Sequence, residues 1–313
     1  RFIYVGRFVT YDSSGAHLDY EQHLSATRAP EAAASDEDFS FDTVLDAASD
    51  EEDTSSQTGK LTGYYITTTM MAKDMDAVRA ALSQMDDYNA VMIDVKSVYG
   101  SFYYSTAISG AEKATVMDIK QVAQLISELA QQKGVTLIAR VPAFSDPEYS
   151  LKHQSQALPL YNGALWTDEN NCYWMNPYSN DVQGYLTSIA LELANLGFDE
   201  VLFDDFYFPD SDRISWTGSV TKQEAILDAA DNLSANLLNQ SIRLDLGTSD
   251  PEVAAYASRV FIATNNASQI DSDKELLADA IPDPAAGIVY ITDSRDTRFD
   301  ACGAMRPLLD ETE

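Results

Sequence analysis

From residue 61 onward the chain repeats one pattern: a short apolar run, then a longer stretch in which apolar residues recur every three or four positions. The runs "LTGYYIT" (61–67), "NAVMIDVK" (89–96), "VTLIARV" (135–141), "DEVLFDD" (199–205), "IRLDLG" (242–247), "RVFIAT" (259–264) and "GIVYIT" (287–292) read as strands. Between them, "DMDAVRAALSQMDDY" (74–88), "TVMDIKQVAQLISELAQQKG" (115–134), "NDVQGYLTSIALELANLG" (180–197) and "TKQEAILDAADNLSANLLNQ" (221–240) carry the helical period. Asp74 is placed to cap the first helix and Gly134 to end the second. Strands that are apolar throughout, each followed by a helix, imply a parallel sheet covered on both faces. Seven such units over ~240 residues match a TIM-like (β/α)8 barrel better than an open sheet. An eighth unit is missing from the pattern, because "DSRDTRFDACGAMRPLL" (293–309) leaves little room for one. Either the barrel is incomplete at its C-terminal end or an N-terminal hairpin closes it, and the pattern does not choose.

That hairpin is expected within residues 1–27, where "RFIYVGRFVTYD" and "AHLDY" flank a Ser-Ser-Gly break. Residues 28–60, dense in Ala, Ser, Asp and Glu, bury little and read as a flexible acidic linker. The barrel domain then takes residues 61–313.

Charge narrows the partners. Fifty acidic against twenty basic residues give a formal charge of −30, a field that repels nucleic acid and anionic membrane surfaces. No run approaches the ~20 apolar residues of a membrane helix. The chain begins at Arg1 rather than Met, as it would after loss of a leader or anchor, so a secreted or surface-attached location is the expectation. Two cysteines, Cys172 and Cys302, make neither a disulfide framework nor a metal cluster, and whether they pair is open. Three scattered histidines lack ligand spacing, and no Gly-rich phosphate loop follows the first strand. No cofactor is implied and no metal site is assigned, although nothing in the pattern excludes a divalent ion on Asp204, Asp205 and Asp245.

In such a barrel, chemistry sits at the C-terminal ends of the strands. Side chains two apart share a face, which aligns Asp94 with Lys96, isolates Arg140, and sets Asp204 on the face of Leu202. Arg243 and Asp245 share a face on the fifth strand. The trio Asp94, Asp204 and Asp245, with Lys96 and Arg140 among it, suits a site that keeps acids at different pKa values. Hydrolysis of a glycosidic bond requires that division, with one protonated carboxyl for the leaving oxygen and one ionised carboxylate to attack or activate water. Paired charges at a barrel mouth also exist only to satisfy one another, and that reading stands beside the catalytic one for Asp94 with Lys96 and for Arg243 with Asp245. Asp205 points the other way by alternation and reads as a loop or capping group. The segment "GALWTDENNCYWMNPYS" (163–179) offers Trp166, Trp174 and Asn176, and "FYFP" adds Tyr207. Aromatic platforms with Asn and Asp nearby suit sugar rings; ordinary core packing accounts for them equally well.

The blocks "GYYIT", "YNAVMIDVKSVYGSFYYS", "LIARVPAFSDP", "GALWTDENNCYWMNPYSNDV" and "LGFDEVLFDDFYFP" fall in the order seen in a bacterial family of glycoside-hydrolase-like TIM barrels. The resemblance covers roughly residues 61–247 and implies a barrel fold and a glycoside-hydrolase reaction class, not a substrate. Residue by residue, it supports Asp94, Asp204 and Asp245 as candidate active-site acids; independently of the resemblance, Lys96, Arg140, Trp166, Trp174, Asn176, Asp205 and Tyr207 are the candidates for contact with a carbohydrate. The chain departs from the family at Tyr207, where arginine is usual, and at Asp205, where tyrosine is usual. The reading is a hydrolase of a polysaccharide or glycan. Its rival is a non-catalytic carbohydrate-binding or surface scaffold protein on a decayed barrel.

Overall fold

The apolar runs pair with one another into a single closed ring. The computed structural model describes residues 9–12, 15–18 and 59–310. Eight parallel strands, β1 Thr62–Ile66, β2 Ala90–Asp94, β3 Thr136–Pro142, β4 Glu200–Asp204, β5 Arg243–Gly247, β6 Arg259–Ala263, β7 Ile288–Ile291 and β8 Gly303–Pro307, form a closed barrel in sequence order. β8 pairs back onto β1, with Met305 opposite Gly63 and Arg306 opposite Tyr64.

This corrects the expectation of an incomplete C-terminal end. The eighth strand hides in "GAMRP", which has too few bulky apolar residues to stand out, yet its backbone completes ladders with both β7 and β1. The connections in this half are also short: the helices Pro251–Ala254, Ile270–Leu276 and Pro284–Gly287, and a single 3-10 turn, Thr297–Ala301, before β8. The N-terminal strands Val9–Asp12 and Gly15–Leu18 pair antiparallel as a separate two-stranded sheet and do not close the barrel. They belong to the first of two units, residues 1–54, and the barrel to the second, residues 55–313. Of the expected acidic linker, residues 28–58 lie outside the described residues.

Alternation sorts the strand residues into two cores. Ala90, Met92, Ile138, Leu202, Phe261, Val289 and Met305 fill the barrel interior. Their neighbours Val91, Ile93, Leu137, Ala139, Val201 and Phe203 face outward into the layer built with the helices. That layer includes α1 Thr68–Lys73, α2 Met75–Gln84, α3 Ile119–Leu129, α4 Pro147–Lys152, α5 Asn180–Asn195 and α6 Lys222–Leu237. Asp74 caps α2 as expected, accepting the Ala77 N–H at 2.9 Å. α3 stops at Leu129, earlier than Gly134, which instead takes φ +80° in the turn leading into β3. A reciprocal pair, Thr221 and Glu224, starts α6.

The longest excursion, residues 143–178, leaves the top of β3 and is tied down at both edges. Ala143 N–H donates to the Asp204 carbonyl at 2.8 Å, and Met175 N–H to the Phe144 carbonyl at 2.7 Å. One wall of the mouth is thereby fixed to β4.

If GAMRP closes the barrel, its fully buried Met305 supports the interior. Met305→Ala should lower unfolding stability by about 2–5 kcal/mol in a denaturant titration; a loss below about 0.5 kcal/mol would mean the strand is not part of the core.

Candidate active site

The C-terminal ends of β2, β3 and β4 place Asp94, Arg140 and Asp204 side by side, with Asp94 opposite Arg140 in the strand register. The guanidinium divides itself unequally. It gives Asp204 Oδ2 one hydrogen bond, from Nε at 2.7 Å, and brings Nη2 to 2.5 Å from the same oxygen as an ion pair. It gives Asp94 Oδ1 one long contact, from Nη1 at 3.5 Å. All three side chains are only partly open to solvent, 18% for Asp94, 26% for Arg140 and 15% for Asp204. Burial pushes the Asp94 carboxyl up to about 6, and the Asp204 charge adds to this against the pull of Arg140 and of the Thr68 N–H. Burial opposes the Arg140 charge, but Asp204 and Asp94 outweigh it and hold the guanidinium above its ordinary value.

These groups line a cavity of about 350 Å³ whose other walls come from Thr68, Thr69, Ser97, Val98, Tyr99, Tyr103, Pro142 and Asp205. A larger cavity, about 640 Å³, opens at the opposite end of the barrel beside Lys60, Ser258 and Pro282. It holds none of the candidate residues, which gather in the smaller one.

Asp205 corrects the expectation from alternation. β4 ends at Asp204, and Asp205 adopts a left-handed backbone, φ +53°, so the next side chain is not forced to the outer face. It lines the cavity instead of capping a helix. Partial desolvation, then the Asp204 charge, raises its carboxyl to about 6, again against Arg140. It has no ion pair among the described residues.

Lys96 lines the cavity too, but its ammonium is turned into the protein. It pairs with Asp146 at 2.9 Å, both side chains being wholly buried. Asp146 also accepts the Tyr185 hydroxyl at 2.9 Å and the Tyr149 N–H at 2.8 Å as the cap of α4. Sequence reasoning paired Lys96 with Asp94 and missed Asp146; the signal was the Asp-Pro at 146–147, an N-cap followed by a proline in the first turn.

Asp245 does not reach the mouth. Register places it opposite Leu202 rather than Asp204, one layer deeper, and it is completely buried. There it joins Glu200, which the sequence reading overlooked. Arg243 bonds Glu200 Oε1 from Nε at 3.0 Å, and Arg259 lies 3.3 Å from the same carboxylate. Burial, then the Glu200 charge and a hydrogen bond to Glu200, raises the Asp245 carboxyl well above the usual range. The trio of acids is therefore a pair at the mouth plus a separate interior group, and a metal held by Asp204, Asp205 and Asp245 together is not assembled.

The aromatic candidates Trp166, Trp174 and Tyr207 are not among the residues that line the cavity at the mouth. Trp166 and Trp174 are nearly sealed, with indole N–H groups directed to Ser211 Oγ at 3.3 Å and Asp168 Oδ2 at 3.0 Å. Tyr207 is 49% exposed with its ring centroid 5.3 Å from that of Trp174. Its hydroxyl is pushed up to about 12, by desolvation first and then by Asp205. Asn176 is not at the cavity; its side-chain oxygen accepts the Tyr178 N–H at 3.0 Å and shapes a turn. Cys172 and Cys302 are both buried and free.

Residues 63–256, more than half of the chain, match the model of a family described as "Putative glycosyl hydrolase domain". Among solved structures, a hypothetical protein from Ruminiclostridium thermocellum is 28% identical, with 58% of this chain and 96% of that one covered and a TM-score of 0.49. A cycloalternan-degrading enzyme from Trueperella pyogenes is 11% identical, covering 82% and 43%, with a TM-score of 0.53. The alpha-galactosidase from Lactobacillus brevis is 10% identical, covering 82% and 38%, with a TM-score of 0.50. This chain thus spans less than half the length of the last two, and they share its barrel fold. No curated protein matches.

Two measurements check the charge layout. Arg140→Ala removes the cation that lowers Asp94, so the Asp94 carboxyl should titrate above about 6 by carbon NMR; an unchanged midpoint would separate the two groups. Asp245 binds its proton more tightly folded than unfolded, so its contribution to stability is whole below about pH 4 and declines as pH rises toward the folded pKa. Asp245→Asn should flatten that part of the stability–pH curve; an unaltered slope would mean the buried carboxyl is ionised.

Proposed function

Because the chain belongs to this glycosyl hydrolase domain family, we propose that it is a glycoside hydrolase, cleaving a polysaccharide or glycan at the mouth formed by Asp94, Arg140 and Asp204. The observation that carries the reading is the unequal sharing of Arg140. Asp204, with one charge-assisted bond and a second close ion-pair contact, is the carboxylate that attacks the sugar or activates water. Asp94, loosely held and raised to about 6, retains a proton under mildly acidic conditions and gives it to the leaving oxygen. Arg140 lies closer to Asp204 than to Asp94. Asp245 has no part in the step.

The cavity's charge narrows the sugar. Its two cations, Arg140 and Lys96, are both committed to protein carboxylates, and Asp205 adds a negative charge with no ion pair among the described residues. Uronate or sulfated chains would meet uncompensated repulsion, so the substrate is a neutral or amine-bearing carbohydrate. Tyr207, half-exposed against Trp174, offers an apolar face to a ring at the rim. A net charge of −30 supports action outside the cell or at its surface, away from nucleic acid.

The test is release of reducing ends from a panel of neutral, amine-bearing and anionic polysaccharides. Asp204→Asn and Asp94→Asn should each lower kcat/KM by about 10²–10⁴ on the neutral or amine-bearing substrate. For the unmutated protein, kcat/KM should fall tenfold per pH unit above about 6, as Asp94 loses its proton. Asp94→Asn should abolish that limb and Asp205→Asn retain it. Glycan binding without cleavage, indifferent to Asp204→Asn, would replace the hydrolase with a binding scaffold.

A further inference from the structure

The last residue of β5, Gly247, sits against the end of β4, where Asp204 lies. A Cβ at this position would stand 2.3 Å from Asp204 Oδ1, 2.8 Å from Asp204 Cα and 3.0 Å from Asp205 N. Gly247 is not among the residues with a left-handed backbone, so its conformation is open to any residue. What the position requires is room, and the room is filled by the Asp204 carboxylate.

We propose that Gly247 is the positioning residue of the site, its bare Cα forming the wall against which the Asp204 carboxylate is held facing Arg140. The inference rests on the reading of Asp204 as the reacting carboxylate. Three contacts hold that carboxylate. Asp205 N–H donates to Oδ1 at 3.0 Å, Arg140 Nε donates to Oδ2 at 2.7 Å, and Nη2 lies 2.5 Å from Oδ2 as an ion pair. Gly247 borders the same Oδ1, and its carbonyl also accepts the Phe206 N–H at 3.0 Å, pinning the turn that carries Asp205. A methyl group here stands under 3.0 Å from both Oδ1 and Cα of Asp204, so the carboxylate or the end of β4 that carries it must shift, and either movement disturbs the contact of Oδ2 with Arg140. The geometric demand therefore passes from one missing side chain to the two groups that divide the work of the site.

The experiment compares the unmutated protein with Gly247→Ala, and with Gly303→Ala as a control for crowding, since a Cβ at Gly303 would meet Val289 Cγ2 at 2.9 Å, away from the site. Two quantities are read: solvent exchange of the Arg140 Nε–H by nitrogen NMR, and steady-state turnover. Gly247→Ala should speed that exchange at least tenfold and lower kcat about 100-fold with KM within about threefold. Gly303→Ala should leave the exchange unchanged. Exchange and kcat both within threefold of the unmutated protein in folded Gly247→Ala would overturn the proposal, as would equal effects from Gly303→Ala. Should Gly247→Ala not fold, the double variant Gly247→Ala/Asp204→Gly decides. Recovery of a folded barrel places the clash at the Asp204 side chain and supports the proposal; continued unfolding places it in the strand packing and overturns it. The exchange readout needs no substrate, so a protein that cleaves nothing defeats the hydrolase reading while this geometry is still judged.

Discussion

A carboxylate drawn into a barrel must be given a cation or keep its proton, and most of the architecture around the strand ends follows from how each acid here meets that demand. Asp204 takes most of Arg140. Asp94 takes the remainder and is raised to about 6. Asp146 takes Lys96, and in doing so anchors α4 and the long excursion that walls the mouth. Glu200 takes Arg243 and Arg259, and Asp245 beside it is raised well above the usual carboxyl range. Isolated ions would cost several kcal/mol apiece in such surroundings. The distribution of cations thus decides which acids are held as paired carboxylates and which are raised.

The two charged groups occupy different layers of one interior. Glu200, Leu202 and Asp204 lie on the same face of β4, so a single strand carries the deep cluster, the apolar spacer and the mouth. Leu202 joins Met92, Ile138 and Met305 in the apolar core of the barrel. That spacer keeps the lower arginines from neutralising Asp204, and so preserves the asymmetry around Arg140.

What could be read from the chain was whatever alternation and apolar runs encode. Seven strands stood out because each is a bulky apolar run between helices, and Asp94, Arg140 and Asp204 stood out as polar strand ends. Alternation gives a side chain its face but not its height. Asp245 was on an inward face, yet the stagger between β4 and β5 sets it opposite Leu202 instead of Asp204. For Asp205, alternation failed because the strand had already ended and the backbone turned left-handed. The eighth strand escaped because a ladder closed by backbone groups needs little side-chain hydrophobicity at its last position. Lys96 found Asp146 across a long loop, a partnership that local spacing does not contain.

The late closure of the ring has a consequence for how the molecule is made. β1 and β8 are joined by pairs such as Gly63 with Met305, partners separated by nearly the whole barrel sequence. Strands β2 to β5 can pair with sequence neighbours as they emerge, but the seam between first and last waits until the C-terminus is available. Bringing such distant segments together carries a loop-closure cost that only the finished ladder repays. Until then β1 keeps one open edge, exposed to pairing with another chain. The acid pair on β2 and β4 lies between strands close in sequence, whereas the seam of the barrel joins its first strand to its last.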